Sequence, residues 1–125
     1  MNKQVIEDLL PEAYQVLEKN ICITDQDGKK TINQTYRGQI STFGAAVTSG
    51  SLLSAIAFFS NKGQSKVDRE KLMVCIRELI PDAQKYASLF DYVSQGTEDM
   101  SVYKEKILNA AIALKLAMNL FVLIS

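Results

Sequence analysis

The stretch TINQTYRGQISTFGAAVTSGSLLSAIAFFSNKG, Thr31 to Gly63, decides the fold. Ile32, Tyr36, Ile40, Phe43 and Val47 follow one another at steps of four, four, three and four. That spacing places them on one face of a helix with about 3.6 residues per turn. Thr31 is positioned to cap its start. Asn33, Gln34, Arg37 and Ser41 fall on the far side and are expected to meet water or a polar partner. Gly38 and Gly44 each cost about 1 kcal/mol relative to Ala inside a helix, so a close helix neighbour is expected there. The pattern breaks at Thr48-Ser49-Gly50, where Gly50 is expected in a left-handed or otherwise restricted conformation. A second helix over Ser51 to Asn61 carries Leu52, Leu53, Ala55, Ile56, Ala57, Phe58 and Phe59 and leaves almost no polar face. Such a helix is buried, or partly buried with the remainder at a subunit interface. Gly63 suits a left-handed helix end.

The rest of the chain extends this pattern in both directions. Asn2 to Lys19 reads as a helix with Ile6, Leu9, Leu10, Ala13, Val16 and Leu17 inward, kinked or restarted at Pro11. Asn20 to Lys30 reads as two short extended pieces around an Asp-Gly turn. Asp25-Gln26-Asp27-Gly28 lacks the third oxygen ligand and the glycine position of a calcium loop, so a plain turn is preferred. Ser65 is placed to cap a helix with Leu72, Cys75, Ile76 and Leu79 inward, whose Lys66, Arg69, Glu70, Lys71, Arg77 and Glu78 form a solvated face. Pro81 stops that helix and opens the next, with Ala83, Tyr86, Ala87, Phe90 and Val93 inward and Gly96 at its end. A last helix starts at Thr97-Glu98-Asp99, whose acids suit a helix N-terminus. Its stripe runs Met100, Tyr103, Ile107, Ala110, Leu114, Ala117, Phe121 and Ile124. A membrane anchor there needs about 20 apolar residues, and a mid-span lysine opposes it by about 2.5–3.5 kcal/mol. Asn109, Lys115 and Asn119 interrupt the run, so a core helix with apolar surface left for another subunit is preferred. The expected fold is all-α: one compact domain, residues 1–125, of five to six helices.

Composition narrows the function. The chain has 125 residues, 47% hydrophobic and 22% charged, which suits a folded domain with a real core. Lys plus Arg and Asp plus Glu number 14 each. That balance argues against a stand-alone nucleic-acid binder, allows a local basic patch, and favours work inside an assembly. There is no histidine, which removes the commonest general base and a common metal ligand. Cys22 and Cys75 do not form a close pair and read as small buried residues of a reduced, cytoplasmic protein with no visible signal peptide. Glu7-Asp8 and Glu98-Asp99 are adjacent and so diverge around a helix, a poor arrangement for acid-base work. No catalytic residue, metal site or cofactor is assigned.

Lys30, Tyr36, Arg37, Gly50, Leu52, Leu53, Ala57, Phe58, Phe59 and Lys62 together resemble the core of the Cmr small subunit family. These are small all-helical subunits of type III-B CRISPR RNA-guided effector complexes. The likeness covers Lys29 to Gly63 and rests on the Tyr-Arg pair, the glycine corner and the closing Asn-Lys-Gly. The corner reads Thr48-Ser49-Gly50 where that family tends to have Gln-Asn-Gly. The final helix carries Leu114-Lys115-Leu116 in place of the family's Trp and Arg. The resemblance implies a non-catalytic subunit that stacks on copies of itself and on other subunits of the antiviral complex. It would line the channel for guide RNA and target RNA, with no membrane partner. Lys29, Lys30, Arg37, Lys62 and Lys66 are the candidate RNA-binding residues, because they are basic residues on expected polar faces. Lys30 and Arg37, seven positions apart, are expected on one helix face about 10 Å apart. Two rivals are a helical protein–protein adaptor without RNA contact and a small enzyme or toxin-type protein.

Overall fold

Tyr36, Ile40, Phe43 and Val47 are buried along one side of a helix, α2, that runs Gln34–Ser49. The computed structural model describes all residues, Met1 to Ser125. The other helices are α1 (Lys3–Asn20), α3 (Leu52–Phe59), α4 (Glu70–Leu79), α5 (Leu89–Gln95) and α6 (Met100–Met118). A 3-10 turn occupies Pro81–Lys85, and three short strands complete the chain: β1 (Ile23–Thr24), β2 (Lys30–Asn33) and β3 (Val122–Ile124). The fold is therefore mostly helical but not all-α. Helix α6 is the central element and packs on α1, α2 and α4, while α3 bridges α2 and α5. Its Ile107, Ala110, Ala113, Leu114, Ala117 and Met118 are sealed in one continuous core. No helix is long and apolar enough to cross a membrane.

The sheet accounts for two departures from the sequence reading. Thr31 and Ile32 do not open α2; they lie in β2, between β1 and β3. Thr31 pairs with Ile23 on one side and Val122 on the other, and its hydroxyl donates to the Ile23 carbonyl at 2.8 Å. Branched side chains at Thr31 and Ile32 suit that extended backbone. The α2 cap falls instead to Asn33, whose side chain accepts from the Thr35 N–H at 2.9 Å. At the far end, α6 stops at Met118, and Phe121 and Ile124 leave the helical stripe. Phe121 turns back to stack on Tyr14 at 4.7 Å, and Val122–Ile124 run parallel to β2.

Other boundaries move for local reasons. Helix α1 continues through Pro11, whose exposed position leaves only the carbonyl one turn back without its bond. Gly50 has φ −137°, outside the left-handed region, so the corner after α2 needs no positive φ. The structure leaves open space where side chains at Gly38 and Gly44 would point, so no close helix neighbour requires them. Ser65 sits upstream of α4 and accepts from the Val67 N–H instead of capping the helix. Pro81 does end α4, but the segment after it is two pieces. Ser88 caps α5 by accepting from the Asp91 N–H at 3.1 Å. That restart turns Ala87 and Phe90 outward and buries Leu89, Tyr92 and Val93.

The charged side chains of α4 are not uniformly solvated. Arg77 donates to the carbonyls of Tyr86 and Gln84, which folds the 3-10 turn against α4. Glu78 accepts from Lys19 at 3.0 Å and Asn20 at 2.8 Å, tying α4 to α1. Burial pushes the Glu78 carboxyl up, and the Lys19 and Asn20 hydrogen bonds more than reverse this, leaving it below the ordinary value. Cys75, next to this pair, is fully buried, and burial first and the Glu78 charge second push its thiol up to about 12. Reactivity follows thiolate content and access. At neutral pH a soluble thiol reagent therefore modifies half-buried Cys22 in the native chain, and Cys75 only after denaturation. Rapid native labelling at Cys75, located by mass spectrometry, contradicts this packing.

Candidate nucleic-acid interface

The five candidate cations stand on three surface elements. The first is the β1–β2 hairpin. Asp25 Oδ1 accepts from the backbone N–H groups of Asp27 and Lys29, each at 2.9 Å, and Gly28 takes φ +81°. This side-chain-to-backbone turn closes the hairpin at the Asp-Gln-Asp-Gly sequence. It holds Lys29 on the exposed tip with its ammonium unpaired. Lys30 is engaged. Its Nζ donates to Glu18 Oε2 and to the Tyr14 hydroxyl at 3.5 Å, and lies 5.6 Å from the Tyr14 ring centre. The Glu18 hydrogen bond first, and then that of Tyr14, raises its pKa above the ordinary lysine value.

Arg37 lies in the first turn of α2. Its Nε donates to Asn119 Oδ1 at 3.2 Å, joining α2 to the end of α6. Lys30 and Arg37 therefore do not share a helix face. Lys30 belongs to a strand, where side chains alternate, and each residue is turned toward a different intramolecular partner.

The third element is the loop between α3 and α4. Lys62 and Lys66 are exposed there without an ion-pair partner. The loop backbone is nevertheless fixed. Arg69 Nε donates to the Asn61 carbonyl at 2.9 Å, and Nη2 donates to the Phe58 carbonyl at 2.9 Å. The guanidinium lies 4.3 Å from the Phe58 ring centre and 5.1 Å from that of Phe59. Gln39 Nε2 donates to Ser65 Oγ at 3.4 Å and ties the loop to α2. Gly63, at φ +57°, makes the turn. Arg69 is the organising residue of this site, and the sequence reading had placed it among solvated charges. Its only sequence signal is a cation a short loop after an aromatic pair that ends a helix, where carbonyls lack intrahelical donors.

Chemically, the arrangement offers unpaired ammonium groups at the hairpin tip and on a tethered loop. Such groups neutralise phosphates without reading bases. No group of three His, Cys, Asp or Glu side chains is placed to hold a metal ion. No family model, curated protein or solved structure matches the chain.

Proposed function

We propose that this chain is a non-catalytic helical subunit of a Cmr-type, type III-B CRISPR RNA-guided effector complex. In this reading it stacks along the assembly and touches the phosphates of guide or target RNA. The observation that supports it most is the α3–α4 loop. Arg69 holds its backbone in place while Lys62 and Lys66 stay exposed and unpaired. This loop closes the Lys29–Gly63 segment that carries the family resemblance. A neutral chain with a few unpaired cations binds RNA weakly alone and gains avidity by repetition along a filament. Lys29, Lys62 and Lys66 carry the contact in this reading. Lys30 and Arg37 contribute less, because each already has a partner in the fold.

The test is a reconstituted or host-purified complex with Lys29→Gln, Lys62→Gln and Lys66→Gln combined. The variant keeps the melting midpoint of the wild-type chain, since exposed charges contribute little to stability. RNA affinity falls, and the slope of log affinity against log salt flattens by about two per subunit, at about 0.7 per lost single-strand phosphate contact. Coincident salt lines from complexes that still contain the subunit remove the RNA contact and leave the protein–protein adaptor. Purification from the host with no co-purifying RNA removes the effector-complex reading altogether.

A further inference from the structure

Phe58 departs from the helix that carries it. Leu52, Ala55, Ile56 and Phe59 of α3 are buried, whereas Phe58 is 62% exposed. It is the one large apolar side chain exposed on α3 or on the loop that follows. A lone exposed apolar residue is ordinary by itself. This one differs because its ring is held in place and stands among free cations. The Arg69 guanidinium lies 4.3 Å from the ring centre and is fixed by its bonds to the Asn61 and Phe58 carbonyls. Buried Phe59 meets the ring edge-on, with centres 5.4 Å apart at 72°. No carboxylate pairs with Lys62, Lys66 or Arg69. Two acids share the segment from Lys62 to Glu70, so it carries three cations against two anions. One of the acids, Asp68, is engaged at the start of α4, where it accepts from the Glu70 N–H at 3.2 Å.

We propose that Phe58, backed by Arg69, is a stacking platform for an unpaired base of single-stranded RNA, with Lys62 and Lys66 taking the flanking phosphates. A nucleotide joins a flat π face to an anion, and this loop presents a flat π face beside unpaired cations. In a duplex each base is covered by its neighbours, so only an unpaired base has a face to offer a side chain. The ring is already ordered by Arg69 and Phe59, so stacking on it costs little side-chain entropy. A protein partner ordinarily buries a contiguous apolar centre. Phe58 has no second exposed large apolar residue beside it on α3 or the loop, and exposed Asn61, Lys62, Gln64 and Lys66 follow it instead. Stacking uses the face of a base and not its hydrogen-bonding edge, so the platform tolerates any sequence. This role rests on the RNA contact proposed above and adds the state of the strand, which is single where it crosses the α3–α4 loop.

The test is a nuclear magnetic resonance titration of the full chain with single-stranded oligoadenylate and with an abasic ribose-phosphate oligomer of the same length. Oligoadenylate is expected to move the Phe58 ring resonances upfield, through the ring current of the stacked base. The abasic oligomer leaves the ring unmoved, while the Lys62 and Lys66 backbone amides shift with both. Phe58→Leu keeps apolar bulk and loses the π face. It weakens oligoadenylate binding by at least about fivefold, leaves abasic binding unchanged, and keeps the salt slope because no charge is lost. Phe58→Tyr, which retains the face, retains the affinity. The wild-type ring shift needs no variant, so a poorly folded Phe58→Leu does not blunt the test. Lysine amides that move with both oligomers, beside a ring that moves with neither, overturn the platform and leave the phosphate contact standing. Equal oligoadenylate affinity for wild type and Phe58→Leu does the same. Resonances that stay still with both oligomers overturn the platform together with the RNA contact on this loop.

Discussion

Gly96→Ala destabilises the fold by about 2–3 kcal/mol, at the upper end of what overpacking a tight site costs. Gly96 ends α5 at φ −74°, a conformation open to any residue, so backbone freedom is not the reason. Space is. A Cβ there would lie 1.8 Å from Tyr103 Oη, 2.5 Å from Tyr103 Cζ and 2.7 Å from the Tyr92 carbonyl oxygen. None of these atoms can withdraw cheaply. Tyr103 is buried on α6, packs edge-on against Tyr92 at 5.0 Å, and its hydroxyl accepts from the Glu98 N–H at 3.0 Å. Moving the ring breaks that hydrogen bond and disturbs the aromatic pair; moving the backbone shifts α5 against α6. The measurement is the urea midpoint at constant slope, with Tyr103→Phe and the double mutant completing a cycle. Removing the hydroxyl relieves the closest clash and leaves the other two, so the double mutant recovers part of the loss. A Gly96→Ala midpoint equal to wild type shows that the α5–α6 turn opens freely, and the close packing is then wrong.

The sequence made Gly96 legible as a helix end and silent as a contact, and the same division holds across the molecule. Helix α2 could be read because Tyr36, Ile40, Phe43 and Val47 repeat with the helix period and bury one face. Lys30 to Asn33 could not, because what makes them a strand is β3, whose residues Val122–Ile124 lie at the other end of the chain. Phe121 and Ile124 kept the step of the α6 stripe although the helix had ended, so periodicity alone extended it too far. Phe90 was misplaced by the opposite error: its spacing assumed one helix after Pro81, and the Ser88 cap resets the phase. The basic residues were individually visible, but their engagement depends on partners that spacing does not reveal. Lys30 meets Glu18, 12 residues back, and Arg37 meets Asn119, 82 residues on. Arg69 gained its role only because the fold brings it over Phe58 and the carbonyl end of α3.

Phe43→Ala is expected to have the largest effect of any single truncation argued for this chain, about 3–5 kcal/mol. Phe43 is fully buried on α2 and meets Phe59 of α3 edge-to-face, with ring centres 5.4 Å apart at 78°. Truncation removes buried apolar surface, leaves a cavity between two helices fixed by other contacts, and abolishes a pair worth about 0.5–1.5 kcal/mol beyond its area. Phe58, adjacent to Phe59 in sequence, supplies the contrast. It is 62% exposed and covered on one side by Arg69, so Phe58→Ala loses part of a cation–π contact and costs about 1 kcal/mol or less. Thermal unfolding separates the two, with Phe43→Ala lowering Tm by more than about 10 °C and Phe58→Ala by a few degrees, at roughly 3–6 °C per kcal/mol for a domain of this size. Similar shifts for both variants mean that α2 and α3 do not pack through Phe43. The distinction matters for testing the RNA contact proposed above. Helix α2 carries Arg37 and, through Gln39, steadies the loop that presents Lys62 and Lys66. If the proposed RNA contact exists, its loss in Phe43→Ala reports an unfolded support, whereas loss in the lysine variants at an unchanged melting midpoint reports the contact itself.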